Sequence, residues 1–224
     1  MGLTIGYQLS ARRPLKLAAL PKLIAPLRDA AHDLGFERVG ELIQIGPDYL
    51  GQFEQPRGMK KCQLADLLPP AEGWVFSAVP GDGSESVEIG LCRHEGLPGW
   101  RWRGGCKTQY ASRHGWGHFR DCHRRVVDLL RACEKAGWRV KVRDEGRYWE
   151  TRSETALRAK IGEYDRLVAA LGGVLKDAAE SAGERVHGSI FDDPRFERLE
   201  AEGRQEHEDS IHRLLPHLPD PHGR

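Results

Sequence analysis

The sequence lacks any apolar run long enough to cross a membrane, and its N-terminus lacks the charged and then apolar order of an export signal. We therefore expect a cytoplasmic protein that does not enter the membrane. The chain has five cysteines, an odd number, which in that compartment predicts free thiols rather than a disulfide framework. It contains no P-loop, no dinucleotide-binding glycine fingerprint and no GxSxG turn, so no familiar catalytic motif assigns it to an enzyme class.

A net charge of only +1 over 224 residues gives the whole chain no bias toward anionic or cationic partners. The charges are nevertheless unevenly placed. Between 93 and 131, nine Lys and Arg residues stand against three acidic residues, a local balance of +6. Between 177 and 212, eleven acidic residues stand against four arginines, a balance of −7. The basic segment predicts an anionic ligand, and the acidic segment predicts either a solvated tail or a cover that competes with that ligand.

Aromatic residues are interleaved with the basic segment: Trp100, Trp102, Tyr110, Trp116 and Phe119. Arginine and lysine bind phosphates while flat rings stack on bases, so the combination is typical of a surface for nucleotides or single-stranded nucleic acid. The plainer interpretation is that the arginines form an ordinary solvated surface and the tryptophans belong to the core.

Apolar and polar residues alternate in several short segments, which predicts strands at 3–9, 37–45 and 138–143, and a hairpin at 73–92 around Pro80 to Ser84. Apolar residues at helical spacing predict helices at 21–34, 118–136 and 152–182, the last with a capping box of Thr151 and Glu154. Residues 46–72, between the second predicted strand and the hairpin, are predicted to form a loop. This order favours an α+β fold, with a ferredoxin-like, antiparallel-rich sheet that has helices on one face and a C-terminal helical extension. We expect a main domain at 1–182 and a charged extension, helical or partly disordered, at 183–224, which folding of the main domain does not require.

Strict alternation in the strand at 138–143 predicts which side chains point outward. Trp138 and the two valines face the core, and Arg139, Lys141 and Arg143 face away from it. The same alternation in the run WRWR places Arg101 and Arg103 on one side. The residues that we predict to contact a phosphate-bearing ligand are therefore Arg101, Trp102, Arg103, Lys107, Tyr110, Arg139, Lys141 and Arg143.

Four runs of the sequence, MGLTIGYQL, IGLCRH, GGCKTQYAS and DEGRYWE, give the chain a resemblance to an uncharacterised family of bacterial proteins. The resemblance covers roughly 1 to 175 and leaves the acidic tail outside it. It implies no activity, fold or ligand, so the functional hypotheses depend on the residues alone.

Cysteine and histidine residues suggest a second kind of site. Cys92, Cys106, His118 and Cys122 supply the nitrogen and sulfur ligands that zinc prefers, although no CxxC pair is present. Cys106 and Lys107 follow two glycines in a predicted loop, where a neighbouring lysine and His118 would lower the pKa of a nucleophilic thiol. The alternative interpretation is that the cysteines are small buried apolar residues.

The leading hypothesis is a binding or regulatory protein that recognises a phosphate-bearing partner, a nucleotide or single-stranded nucleic acid, without a cofactor. The alternative hypothesis is an enzyme that uses Cys106, Lys107 and His118, with or without zinc.

Overall fold

The computed structural model describes residues 3–46, 70–185, 187–188, 190–191 and 193–214. These residues form two compact units, one of residues 1–158 and the other of residues 159–224. The division falls inside the longest helix, whereas the sequence places a domain boundary at 182/183. The expected independence of 1–182 from the tail stays a prediction.

In the described part of unit one, seven strands form one sheet: β1 (Thr4–Ser10), β2 (Arg38–Val39), β3 (Ile43–Ile45), β4 (Pro70–Val79), β5 (Val87–His94), β6 (Leu97–Lys107) and β7 (Arg139–Asp144). The strand order is β2-β4-β5-β6-β1-β7, with β3 beside β2 along β4. Every pair is antiparallel. The predicted α+β class with an antiparallel sheet is confirmed, and the more specific ferredoxin-like description stays a prediction.

Helix α1 (Leu20–Asp33) packs on β4 and β5, and α2 (Trp116–Lys135) packs on β1 and β7 and against α1. Short 3₁₀ helices precede them at Leu17–Ala19 and Gln109–His114, and a single turn, α3 (Tyr148–Thr151), follows β7. The apolar sides of the two helices and of the strands form the core, with Ile24, Phe119, Ile5, Leu9 and Leu91 almost completely buried. The helices predicted at 21–34 and 118–136 are thus confirmed within two residues at each end.

Two sequence predictions in unit one need correction. The strand predicted at 37–45 is divided into β2 and β3, because its pairing with β4 shifts in register by one residue between Val39 and Ile43. The segment 97–107, predicted as a loop in its Cys106 part, is strand β6. Most of the loop predicted at 46–72 lies outside the described residues, and β4 already begins at Pro70.

Gly104 explains how a glycine-rich segment becomes a central strand. It lies directly opposite Tyr7 of β1, and a side chain at Gly104 would overlap the Tyr7 ring. The buried Tyr7 hydroxyl reaches past it, donates to the carbonyl of Glu88 on β5 at 2.8 Å, and accepts from the Glu88 N–H at 3.0 Å. One side chain therefore connects three adjacent strands.

Helix α4 (Glu154–Ser181) is capped by Ser153, whose hydroxyl accepts from the Ala156 N–H at 3.1 Å. The predicted capping box of Thr151 and Glu154 is wrong. The Thr151 hydroxyl instead donates to the carbonyl of Arg147 at 2.7 Å, and Glu154 lies 3.6 Å from Arg120.

Unit two pairs the later part of α4 with α5 (Phe196–Leu214). The contact uses small residues, because a side chain at Gly173 or Gly203 would overlap the facing helix. Ala169 packs there with Phe196 and Leu199. The helical spacing of apolar residues in the sequence also predicts Leu171 and Leu175 on the buried side of α4. That prediction is wrong in this half, where Leu171 is 49% and Leu175 is 60% exposed. Glycine and alanine supply the buried side instead.

Candidate anion-binding face

The register of three neighbouring strands collects the basic residues on one side of the sheet. Ser10 of β1 lies between Arg101 of β6 and Arg139 of β7, and Gln8 lies between Arg103 and Lys141. Directly paired residues of an antiparallel sheet point to the same side. Gly6 lies opposite Arg143, and Thr4 lies opposite Lys107. We call this set the cationic face: Arg101, Arg103, Lys107, Arg139, Lys141 and Arg143.

The cationic face has a regular layout. Alternate residues of a strand are about 6.7 Å apart, and β6 and β7 lie about 9.5 Å apart on either side of β1. The floor between the two rows is uncharged, because β1 contributes only Thr4, Gly6, Gln8 and Ser10 to it. Arg103 and the three cations of β7 are exposed to solvent. The face therefore presents two parallel rows of positive charge along an open channel.

Five of these six cations are without an ion-pair partner in the part of the chain that the structure describes. In the described ranges, Arg101, Lys107, Arg139, Lys141 and Arg143 form no ion pair. Two carboxylates at the edge of the sheet accept hydrogen bonds from backbone N–H groups. Glu145 accepts from the backbone N–H of Thr4 at 3.0 Å, and Glu85 accepts from the backbone N–H of Lys107 at 3.0 Å. The cationic face consequently keeps most of its positive charge for an outside partner.

A concave pocket of about 280 Å³ lies at the Ser10 end of the cationic face. Its walls are formed by Gln8, Leu9, Ser10, His94, Leu97, Arg101, Trp102, Arg103, Arg139 and Lys141. Five of the eight predicted ligand residues line this one pocket, and the lining residues that belong to the described part of the chain include no acidic side chain. A larger concavity in unit two is lined by residues of both charge signs, among them Glu180, Glu184 and Lys176, so it lacks this selectivity for anions.

The aromatic residues are only partly available to a ligand. Trp100 is 3% exposed, and its indole N–H donates to the carbonyl of Leu15 at 2.8 Å. Trp102 is half-buried, lines the pocket and packs against Ile45, Val75 and Cys92. Tyr110 is 55% exposed on the 3₁₀ helix after β6, outside the pocket lining. The cationic face is therefore better suited to phosphates than to a long stack of bases.

The other half of the basic segment has a different environment. On α2 and the 3₁₀ helix before it, Arg113 pairs with Asp82, Arg120 with Asp121, and Arg131 with Glu134, at 2.7 to 3.3 Å. Arg125 donates to the carbonyl of Pro80 at 2.6 Å. The structure thus separates the predicted binding segment 93–131 into the sheet part, which belongs to the cationic face, and a helix part whose charges are compensated.

The proposed nucleophile is placed unfavourably. Cys106 and Lys107 are successive residues of β6, so their side chains point to opposite sides of the sheet. Burial raises the pKa of the Cys106 thiol, and the carboxylates of Glu85 and Glu88 raise it further. The thiol donates to the carbonyl of Glu85 at 3.2 Å. The structure therefore does not bring Lys107 and the Cys106 thiol together as an activated pair.

The predicted zinc ligands are also not assembled. His118 Nε2 lies 3.6 Å from Cys122 Sγ and 2.8 Å from the carbonyl oxygen of Asp82. Cys92 is buried in a separate cluster with Ile45 and Val75. Across the described residues, no three His, Cys, Asp or Glu side chains are placed to hold a metal ion. The zinc site therefore has no support in the described residues and stays a prediction.

A buried polar chain of Thr108, His123 and Asp144 lies beneath α2 and was not predicted, although His123 falls at helical spacing with the apolar Phe119 and Val127 in the sequence. Its Nδ1 lies 2.8 Å from the Thr108 hydroxyl and its Nε2 lies 3.2 Å from the Asp144 carboxylate. Burial by itself raises the pKa of Asp144, but hydrogen bonds from His123 and from the N–H groups of Trp149 and Gly146 outweigh it, so the pKa is lowered. Thr108, His123 and the Asp144 side chain are all closed to solvent, so the chain fixes the fold and does not face a substrate.

Comparison with known proteins adds no identification. No protein-family model, no curated protein and no solved structure matches this chain. The resemblance to an uncharacterised bacterial family stays a prediction. Separately, no helix among the described residues combines the length and the apolar character that a membrane span requires.

Proposed function

We propose that this chain is a binding protein for single-stranded nucleic acid, whose phosphate backbone lies along the cationic face. The observation that carries the proposal is the group of cations on β6 and β7, on either side of β1, of which Arg101, Lys107, Arg139, Lys141 and Arg143 form no ion pair within the described ranges. Like charges held this close repel one another, and a partner that supplies regularly spaced negative charge removes that cost.

The shape of the channel favours a single strand. Gly6 on its floor and Gly105 on β6 lie opposite each other, and a Cβ at either position would meet its neighbours only at ordinary van der Waals distances of 3.6 Å or more. A strand can approach the sheet closely at this point, while the rows on β6 and β7 contact its phosphates. The pocket of about 280 Å³ admits a group the size of one nucleotide, and a duplex end does not fit it.

A pair of matched variants tests the proposal. The triple variant R139Q/K141Q/R143Q removes three charges from the cationic face, and R120Q/R124Q/R131Q removes three from α2. Both lower the net charge equally, so a non-specific attraction would weaken equally in both. We expect the sheet variant to lose at least about thirtyfold in affinity for a labelled single-stranded oligonucleotide at low salt, and the helix variant less than about threefold.

Fluorescence anisotropy gives the dissociation constants, and circular dichroism confirms that each variant is folded. Equal losses in the two variants would overturn the assignment to the cationic face. An absence of binding by the wild-type chain would overturn the proposed function itself.

A further inference from the structure

The pocket differs from the rest of the cationic face in that two of its donors are already fixed in place. The Nε–H of Arg101 and the indole Nε1–H of Trp102 are closed to solvent and have no acceptor among the described residues. The Arg101 guanidinium is held by a hydrogen bond from Nη2 to the carbonyl of Pro98, at 2.5 Å. The Trp102 ring is held by its packing on Ile45, Val75 and Cys92. Each buried donor without an acceptor costs on the order of 1–3 kcal/mol, so an acceptor-rich ligand is favoured there.

The charge of the pocket is also more than a phosphodiester needs. Arg101, Arg139 and Lys141 line it together, and none of the described residues in its lining is acidic. A diester linkage carries a single negative charge, whereas a phosphomonoester carries about −1.5 to −2 near neutral pH and presents three acceptor oxygens. Arginine forks match those oxygens in pairs.

The position of the pocket indicates where such a group comes from. Successive rows along β1 run from Thr4 to Ser10, and the pocket lies at the Ser10 end, where the paired cations Arg101 and Arg139 end the channel. A strand that follows the two rows of cations therefore brings one of its ends to the pocket.

We propose that the pocket is a phosphomonoester site and that, on the ligand of the proposed function, it holds the terminal phosphate of the strand. The inference depends on the proposed function for the source of the phosphate but not for its chemistry, since a free nucleotide or inorganic phosphate carries the same group. The protein then recognises the end of a strand as well as binding its phosphate backbone.

The test compares short oligonucleotides of one sequence with a hydroxyl at both ends, a 5′ phosphate or a 3′ phosphate. We expect the wild-type chain to bind one phosphorylated form about tenfold more tightly than the hydroxyl form, which corresponds to about 1.4 kcal/mol. Arg101→Lys keeps the charge but removes the Nε–H, and Trp102→Phe keeps an aromatic ring but removes the N–H. In both variants the ratio of the two dissociation constants should fall below about threefold, whereas Arg124→Lys on α2 should keep the wild-type ratio.

The outcomes separate the two proposals. Equal wild-type affinity for all three oligonucleotides overturns the terminal-phosphate site and leaves the proposed function intact. If no oligonucleotide binds, the proposed function fails, and thermal melting with inorganic phosphate and with a nucleoside monophosphate decides the pocket. If phosphate or the nucleotide stabilises the wild-type chain but neither R101K nor W102F, the result supports a phosphomonoester site for a free ligand. If it stabilises none of the three proteins, or all three equally, the site is overturned.

Discussion

The arginines of β6 and the arginines of α2 come from one continuous basic stretch of sequence, yet their surroundings differ completely. On α2, Arg120, Arg124 and Arg131 lie within ion-pair distance of carboxylates on the same helix. On the sheet, Arg101 and Lys107 have no such partner among the described residues, and β7 adds three more cations beside them. Local charge density in a sequence therefore says little about function until the positions of the opposing charges are known.

The uncompensated charges on the sheet lower the stability of the fold. The cations of β6 and β7 face one another across β1 and repel, as do cations at alternate positions of one strand, which lowers stability. By contrast, i,i+3 pairs on a helix contribute a few tenths of a kcal/mol. A surface that weakens the fold is retained when a ligand uses it. Five predictions are given in decreasing order of expected effect.

The largest effect should come from removing the Asp144 carboxylate, which is enclosed beneath α2. Asp144→Ala removes the acceptor for His123 and for the N–H groups of Gly146 and Trp149, and leaves them buried without partners. We expect a loss on the order of 3–5 kcal/mol in the free energy of unfolding, measured by urea denaturation. Asp144→Asn, which keeps the shape and one acceptor, should lose less. A loss below about 1 kcal/mol for the alanine variant would contradict a structural role for the buried chain.

The same carboxylate gives a defined pH dependence. Its folded pKa is lowered below the ordinary value of 3.8, so its contribution to stability is complete above that value and is lost as the pH falls through the folded pKa. Wild-type stability should therefore fall more steeply than that of Asp144→Asn on acidification below about pH 4. Parallel curves for the two proteins would contradict the assignment.

Salt should separate the two basic surfaces next. Single-strand binding follows a slope of about −0.7 in log affinity against log salt for each phosphate contacted, so six contacts lower affinity by about 2.5 orders of magnitude between 50 and 200 mM salt. Removing one cation of the face, as in Lys141→Gln, should reduce the slope by about 0.7, and Arg124→Gln should leave it unchanged. If the affinity of the wild-type chain does not change with salt, the cationic face does not contact phosphates and the contrast with α2 is wrong.

A smaller effect is expected for Arg131, whose guanidinium lies 3.6 Å from the centroid of the Trp149 ring and donates to the Trp149 carbonyl at 3.0 Å. Arg131→Gln should cost about 1 kcal/mol in the free energy of unfolding. Arg131→Lys, which keeps the charge but not the planar group, should recover only part of the loss in the same denaturation experiment.

The smallest effect has the opposite sign. Lys141→Gln relieves repulsion from Arg139 and Arg143, which neighbour it on the same side of β7. We expect a gain of a few tenths of a kcal/mol at low ionic strength, which disappears in high salt as screening removes the repulsion. Thermal melting at the two ionic strengths measures it, and a destabilised Lys141→Gln at low salt would show that Lys141 has a structural partner.

Some of this organisation could be predicted from the sequence, for reasons that particular residues make clear. Strand β7 alternates strictly, so Arg139, Lys141 and Arg143 were placed outward correctly, and each is exposed. The helix at 116–135 has a continuous apolar side and a glycine at its end, which is a signal carried by local residues alone.

Other features depend on contacts that the sequence does not display. Pro98, Gly99, Gly104 and Gly105 all favour a loop, and β6 is a strand because β1 and β5 pair with it on both sides and Gly104 makes room for Tyr7. The choice between Thr151 and Ser153 as the helix cap depends on which hydroxyl is already engaged by Arg147. The separation of the arginines into neutralised and available sets likewise depends on distant acidic residues such as Asp82.

The buried cysteines determine how this protein can be labelled. Cys92, Cys106, Cys122 and Cys133 are all enclosed, and burial raises the pKa of Cys92 and of Cys133 to about 12. At neutral pH these thiols hold almost no thiolate, the form that reacts with maleimides and iodoacetamides. Once Cys62, which lies outside the described residues, is replaced by serine, a cysteine introduced in place of Arg147 or another exposed residue becomes the preferred target. A single dye can then be attached at a chosen distance from the cationic face without altering the native cysteines.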